Sequence, residues 1–461
     1  MNTTASHTKP VFSNVLPRRR FICYLLFVLL GFSLGCSEFV VIGIEPELAE
    51  NYGRSISQIG DLISLFALSY AIATPLLSIL TSSFRRSSVL AVYLVIFVVS
   101  NLVSSIAPTF EVLLVARLIM GAVSGPLLAV ATTYVPDLLG LDRSSIGISV
   151  IYAAFSIALV LATSAGRFIV EFLTWHVAMD AAFIFALVSA VLLVLFVPRE
   201  PAPNRITSST QPAQPAKTEA SVNVEAGAVT EVPTSEISAE RIPATGTRTS
   251  LHAQISLFKE PAIIFGVLLF TFGVGAVYTF YGYVAPYLET FLGFLPTQSG
   301  LILLVFGVIC IVSDLLSGFI DLRFGMKPIP GVLLVLGMAL LALWLCGSNG
   351  SLALVPIFAI ALLMYSFSIS CITMFMGVAR ARHPQALVLA ASLEPTSFNI
   401  GIAFGTLVGG LVVSHVGLGE VGLVGAVLGL LAGICATIAL VFWRRIQTES
   451  SEKDDRSVRS S

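Results

Sequence analysis

Residues 18–44, RRRFICYLLFVLLGFSLGCSEFVVIGI, place three arginines ahead of 24 residues whose only charge is Glu38. A bilayer core about 30 Å thick takes about 20 apolar residues of helix. The run from Phe21 to Ile44 therefore reads as a membrane span. An ionisable group inside a span costs on the order of a few kcal/mol and usually faces a partner or a wet cavity. Glu38 is a candidate functional group on that ground alone.

Comparable runs recur at 59–81, 88–107, 111–134, 145–168, 176–197, 262–285, 298–320, 328–346, 352–377, 396–416 and 421–443, twelve spans in all. The chain is 56% hydrophobic and 11% charged, with a mean hydropathy of +0.94, which excludes a soluble globular domain. The expected fold is all-α. Lysine and arginine are held back on the cytoplasmic side of a membrane. With the amino terminus inside, 22 of the 25 basic residues fall in cytoplasmic loops and tails, and only Arg54 lies in an outer loop. We expect a multi-pass cell-membrane protein with both termini cytoplasmic.

A net charge of −1 points away from nucleic acid, and nothing implies an obligatory protein partner. Five cysteines fall inside spans and Cys346 closes another, without metal-ligand spacing, so neither metal nor cofactor is expected. There is no nucleotide loop and no nucleophile with a placed base, so the pattern is not that of an enzyme.

Residues 199–258, rich in Pro, Ala, Ser, Thr and Glu, have no apolar period and read as a disordered cytoplasmic linker. It divides a bundle at 21–198 from one at 259–445, with tails at 1–20 and 446–461. A shift of 240 residues pairs Gly35 with Gly275, Pro46 with Pro286, Gln58 with Gln298, Gly60 with Gly300 and Phe66 with Phe306 without a gap. Matched Gly, Pro and Gln are uncommon in such a composition. Two copies of six helices enter the membrane from the same side, the parallel repeat of a two-bundle fold with a site between its halves. Ala158, Ala162 and Gly166 in the fifth span and Gly401, Gly405 and Gly409 in the eleventh share an i, i+4, i+8 spacing. Such small-residue faces let helices approach closely; we expect plain packing first, with sliding against the opposite half as the functional alternative.

Three segments resemble the major facilitator superfamily, and within it the drug:proton antiporters of the arabinose-efflux and chloramphenicol-resistance type. They are GCSEFVVIGIEPELAE in the first span, Arg117, Gly121 and Gly125 in the fourth, and SFNIGIAFGTLVGG in the eleventh. The loop after the eighth span keeps Gly318, Asp321, Arg323, Gly325 and Lys327 of the family's gating loop, whereas LTSSFRRSSVL after the second keeps only its basic pair. The fifth span has LATSAG where the antiporter motif has Gly-Pro, and Glu45 and Glu394 stand where look-alikes are usually uncharged. The resemblance implies twelve helices in two pseudo-symmetric six-helix bundles. It also implies a secondary transporter working by alternating access, moving a small amphipathic organic compound outward against protons. Export of a sugar, nucleoside or other polar metabolite is the alternative within transport, and a non-transporting receptor or scaffold the alternative outside it.

Glu38 and Arg117 lie at similar depths, which permits pairing. Burial and a nearby guanidinium pull a carboxyl's protonation in opposite directions, and a group so held can exchange a proton as the cavity opens to either side. These two are the candidate proton-coupling residues. Tyr278, Phe280 and Tyr281 in the seventh span, Met364 and Tyr365 in the tenth, and Glu394 and Asn399 in the eleventh are candidates for the substrate cavity. Aromatic and thioether side chains suit loosely specified ligands. Glu394 precedes a proline, which disfavours helix there, so a break or start of the eleventh helix is expected. Asp314 is expected to anchor the loop bearing Asp321, and Arg167 to snorkel or pair with Asp180.

Overall fold

The computed structural model describes residues 16–81, 84–197 and 256–460; most of the expected linker and amino-terminal tail lie outside them. The spanning helices are α1 (Pro17–Gly43), α2 (Ile56–Thr81), α3 (Arg86–Ser105), α4 (Phe110–Thr133), α5 (Leu141–Phe172) and α6 (Trp175–Phe196). The second half has α7 (Pro261–Tyr281), α8 (Pro296–Phe324), α9 (Ile329–Leu345), α10a (Gly350–Leu363), α10b (Ser368–Arg382), α11 (Leu387–His415) and α12 (Val421–Ser460). No strand occurs among the described residues. Eleven of the crossings are long and apolar enough to traverse a bilayer; α9, at 17 residues, is at the short end of that range. The expected carboxy-terminal tail is instead a continuation of α12.

The tenth crossing is broken at Met364–Phe367, a feature its apolar run did not announce. Amides freed inside a membrane must find acceptors. Ser313 Oγ accepts from Tyr365 N and Ser317 Oγ from Ile369 N, each at 3.0 Å. These two serines, one turn apart on α8, hold the break open and turn Tyr365 inward.

Within the first half α1 packs on α5 and α6; within the second, α7 packs on α11 and α12. The small-residue stripes make these same-half contacts. A Cβ at Gly401 would stand 2.8 Å from Phe270 O, one at Gly409 2.7 Å from Thr279 O, and one at Gly405 would collide with Gly275 O. Ala158 likewise abuts Gly35, and Gly166 faces Val40 and Ile44. These are the contacts of plain packing, a joint repeated inside each bundle, and not of faces set against the opposite half. The halves meet instead through α2 with α11 and α5 with α8.

We call the face where α1 ends and α2 begins distal, and the other terminal. Tyr281 with Thr163, Thr297 with Glu171 and Glu289 with Arg167 join the halves from mid-depth to the distal face, and the core runs through both bundles as one cluster there.

Candidate functional site

Gly121 and Gly125 bring α4 so close to α2 that added Cβ atoms would strike Phe66 O, Ser69 and Thr74. One turn before Gly121, that approach lays the Arg117 guanidinium 4.4 Å above the Phe66 ring. Arg117 donates to Ser37 O and, at 2.9 Å, to Glu38 O. It thus grips the main chain of α1 and makes no ion-pair contact with the Glu38 carboxylate. Glu38 is 5% exposed, and its Oε2 has no hydrogen-bond partner among the described residues. From α3, Asn101 accepts from Ser37 Oγ at 2.8 Å and donates to Phe97 O at 2.9 Å. Arg117 therefore fixes the backbone of α1 at Ser37 and Glu38 and Asn101 fixes the Ser37 side chain, while the Glu38 Oε2 is left without a bond among the described residues.

Across the interface, Tyr278 stands within electrostatic reach of Glu38, its hydroxyl buried and without a hydrogen-bond partner among the described residues. Tyr281 stacks on Phe306 (5.0 Å, 14°) and donates to Thr163 Oγ1 in the other half at 3.4 Å. Tyr365 stacks on Phe398 (5.6 Å, 9°), and Phe398 meets the edge of Tyr278 at 6.3 Å. Met364 accepts from Cys310 Sγ at 3.8 Å. Phe280 is not in this group; it packs edge-on against Tyr287, toward the distal end.

Glu394 accepts from Ser368 Oγ at 2.9 Å and is an electrostatic neighbour of Tyr70, Tyr152 and Asp314. The expected break before Pro395 is absent: α11 begins at Leu387 and carries the proline inside it. Asn399 Nδ2 donates to Pro395 O at 3.1 Å, and its Oδ1 is buried with no hydrogen-bond partner among the described residues. Asp314 does not anchor the loop after α8. Its neighbour is Ser156 of the first half.

Sequence reasoning missed Tyr70, Tyr152, Phe306 and Phe398. A usable signal existed for one of them, because Phe306 is the repeat partner of Phe66. Each is the seat under a functional group, Phe66 under Arg117 and Phe306 under Tyr281.

The loop expected to gate lies on the terminal face, within its own half. Asp321 accepts from Thr373 at 2.8 Å, Ser370 donates to Gly325 O at 3.4 Å, Gly325 turns at φ +58°, Gly318 meets open space, and Arg323 and Lys327 are exposed. On the distal face Arg167 holds Glu47 in a bidentate pair at 2.6 and 2.8 Å, and its Nε lies 2.7 Å from Glu289 of the other half without hydrogen-bond alignment. Asp180 is not its partner. Thr297 bonds Glu171 at 2.9 Å beside it. Burial pushes the Glu289 carboxyl up to about 7, because Arg167, which opposes the rise, is shared with Glu47. Two apolar crevices, about 420 Å³ lined by α1, α5, α6 and Leu304 of α8 and about 520 Å³ between α3 and α4, include none of the side chains of the central cluster.

The profile of the Major Facilitator Superfamily matches residues 27–392, most of the chain. The chain belongs to the Major Facilitator Superfamily. Two superfamily relatives show how far the likeness extends. An uncharacterized MFS-type transporter, YtbD of Bacillus subtilis (strain 168), is 22% identical over 92% of this chain and 95% of its own. A probable sugar efflux transporter of Pasteurella multocida (strain Pm70) is 25% identical over 95% and 98%. Among solved structures, a D-xylose–proton symporter superposes with a TM-score of 0.66 at 16% identity, over 90% of this chain and 97% of that one. The chain is a multi-pass membrane transporter of the superfamily and carries its two-bundle fold.

Proposed function

We propose that this transporter exports a small organic compound in exchange for protons, with Glu38 as the coupling group and Arg117 as the residue that positions it. The observation that carries this reading is the buried Glu38 Oε2 between the halves, beside the Tyr278 hydroxyl, neither with a hydrogen-bond partner among the described residues. A permanent structural bridge would have used the carboxylate, whereas Arg117 is spent on main-chain oxygens and an aromatic face. The distribution of basic residues supports placing the distal face outside, so this conformation is closed outward. The stacked Tyr281–Phe306 and Tyr365–Phe398 pairs suit an amphipathic ligand.

A polar ligand such as a sugar is the second reading. It is favoured by buried polar atoms without partners around those rings, Tyr278 Oη, Ser397 Oγ and Asn399 Oδ1, and by the efflux transporter and the symporter whose names concern sugars.

Reconstitution into vesicles with a pH dye in the lumen tests both. A panel of amphipathic cations, sugars and nucleosides should yield at least one compound whose movement drives proton flux. Glu38→Gln, which keeps shape and hydrogen bonding, should still bind that compound but without pH dependence, and should fail to concentrate it. Unchanged coupling in the variant removes Glu38 from the mechanism.

A further inference from the structure

The bend that ends α1 at Ile44 is followed by a short helix, Glu45–Tyr52. Its first residue, Glu45, is 0% exposed, and neither carboxylate oxygen has a hydrogen-bond partner among the described residues. An ionised carboxylate so placed has lost its water without a compensating bond. The start of an eight-residue helix supplies only weak compensation, since Pro46 has no amide hydrogen and the oxygens accept from no amide beyond it.

The groups around it do not neutralise it. Tyr283, from the other half, has its hydroxyl bonded to Thr406 O at 2.8 Å. Asp61 on α2 faces the same tyrosine and carries the same charge sign as Glu45. Glu47, on the same helix, and Glu289, across the interface, are both held by Arg167 of α5, which also reaches Gly43 O. Burial alone holds the Glu45 carboxyl well above the ordinary range, with no cation offsetting it.

Nor does the bend need a carboxylate. The second half makes the same bend at Tyr283, with the same backbone angles to within about 10°. The residue after the bend there is Val284, and the 240-residue shift pairs Glu45 with Ala285, neither of them ionisable.

The short helix that begins at Glu45 packs against Val284–Pro286 of the other half, so Glu45 is buried beside the junction of the halves. Tyr283 inserts its hydroxyl between α2 and α11, where a Cβ at Gly410 would lie 2.6 Å from it and one at Gly60 would collide with it. Parting the halves withdraws Tyr283 and wets Glu45.

We propose that Glu45 is a proton-binding site that latches the distal gate: it holds a proton while the halves are closed there and releases it to the distal side when they part. The inference rests on the reading that the two halves alternate. The proton returns to the side from which it came, so the latch sets how readily the gate opens and adds nothing to the coupled stoichiometry.

The test uses the full-length protein in lipid nanodiscs, with spin labels at Asn51→Cys and Leu295→Cys, exposed positions on either side of the gate. Cys346 is replaced by Ser, the other five cysteines being buried. Glu289→Gln and Glu38→Gln are present throughout, to remove the neighbouring titration and that of the proposed coupling group. Distance distributions are recorded between about pH 5 and 9, and the closed-to-open ratio should fall with rising pH by up to about tenfold per unit. Glu45→Gln and Glu45→Ala should both give a flat, closed profile. A flat profile with Glu45 intact, a slope that survives both substitutions, or a shift that follows sodium at fixed pH would each overturn the proposal. No ligand is present, so failure to find an exported compound would count against the transport reading and leave this result standing.

Discussion

At Glu38 and Arg117 the informative feature is a contact that was not made. Similar depth suggested an ion pair, yet the guanidinium satisfies itself on Ser37 O, Glu38 O and the Phe66 ring. Carbonyls of a helix backbone cannot titrate, so this grip persists whatever the state of the carboxylate, which is what a coupling group needs from its scaffold. Arg167 shows the opposite economy, one guanidinium serving Glu47 and Glu289 from two halves. The sign of its pH dependence follows. Closure raises the Glu289 carboxyl from 4.5 to about 7, so the closed gate binds a proton that the open gate, with Glu289 hydrated, does not. Its contribution to closure is fully present below the ordinary value near 4.5 and is lost as pH rises through about 7. Glu289→Gln should remove the part of the gate's pH response that falls in this window. Label distances across the gate at a series of pH values check it, and an identical curve for the variant would show that Arg167 keeps Glu289 charged in the closed state.

Among the elements, the joint between α7 and α11 carries the clearest mutational consequence. Gly405 faces the backbone of Gly275 at a separation that leaves no room for a Cβ. Gly405→Leu therefore requires the helices to move apart, an overpacking cost on the order of 1–3 kcal/mol or more. The expected outcome is a lower melting temperature and less folded protein in detergent, since the joint lies inside one bundle. A normal melting curve combined with lost transport would return the stripe to the moving interface. The same element shows what the sequence could convey. Spacing at i, i+4, i+8 reveals a close-packed face, because only backbone-to-backbone contact demands it, but it does not name the partner helix. Twelve apolar runs, the repeat and the buried charges were legible because lipid penalises polar groups one at a time. The break in the tenth crossing was not, because the residues that make it tolerable, Ser313 and Ser317, lie about 50 positions upstream. Glu394 was misplaced at a helix start because Pro395 lies inside a continuous α11 that begins at Leu387.

Taken as a whole, the molecule is held shut on one side by a few dissimilar contacts, Arg167 with Glu289, Thr297 with Glu171, and Tyr283 seated between Gly60 and Gly410. Each is modest alone, and a two-state transporter needs them to be so, because closed and open forms must differ by only a few kcal/mol, roughly, to interconvert. If the halves part at this face in every cycle, a covalent tie across it must stop transport. Ser57 on α2 and Gly410 on α11 are placed for such a tie: a Cβ at Gly410 would lie 3.0 Å from Ser57 Oγ. That matches the separation of about 3 Å between one Cβ and the far sulfur of a disulfide. Only the tip of Tyr283 must give way. Ser57→Cys with Gly410→Cys, oxidised in the membrane, should lose export while ligand binding from the terminal face survives, and a reductant should restore turnover. Either single cysteine should transport with or without oxidant, since the native cysteines are largely buried. Export at the unmodified rate from fully cross-linked protein would mean that the distal halves never separate, and alternation about the Glu38 site would have to be abandoned.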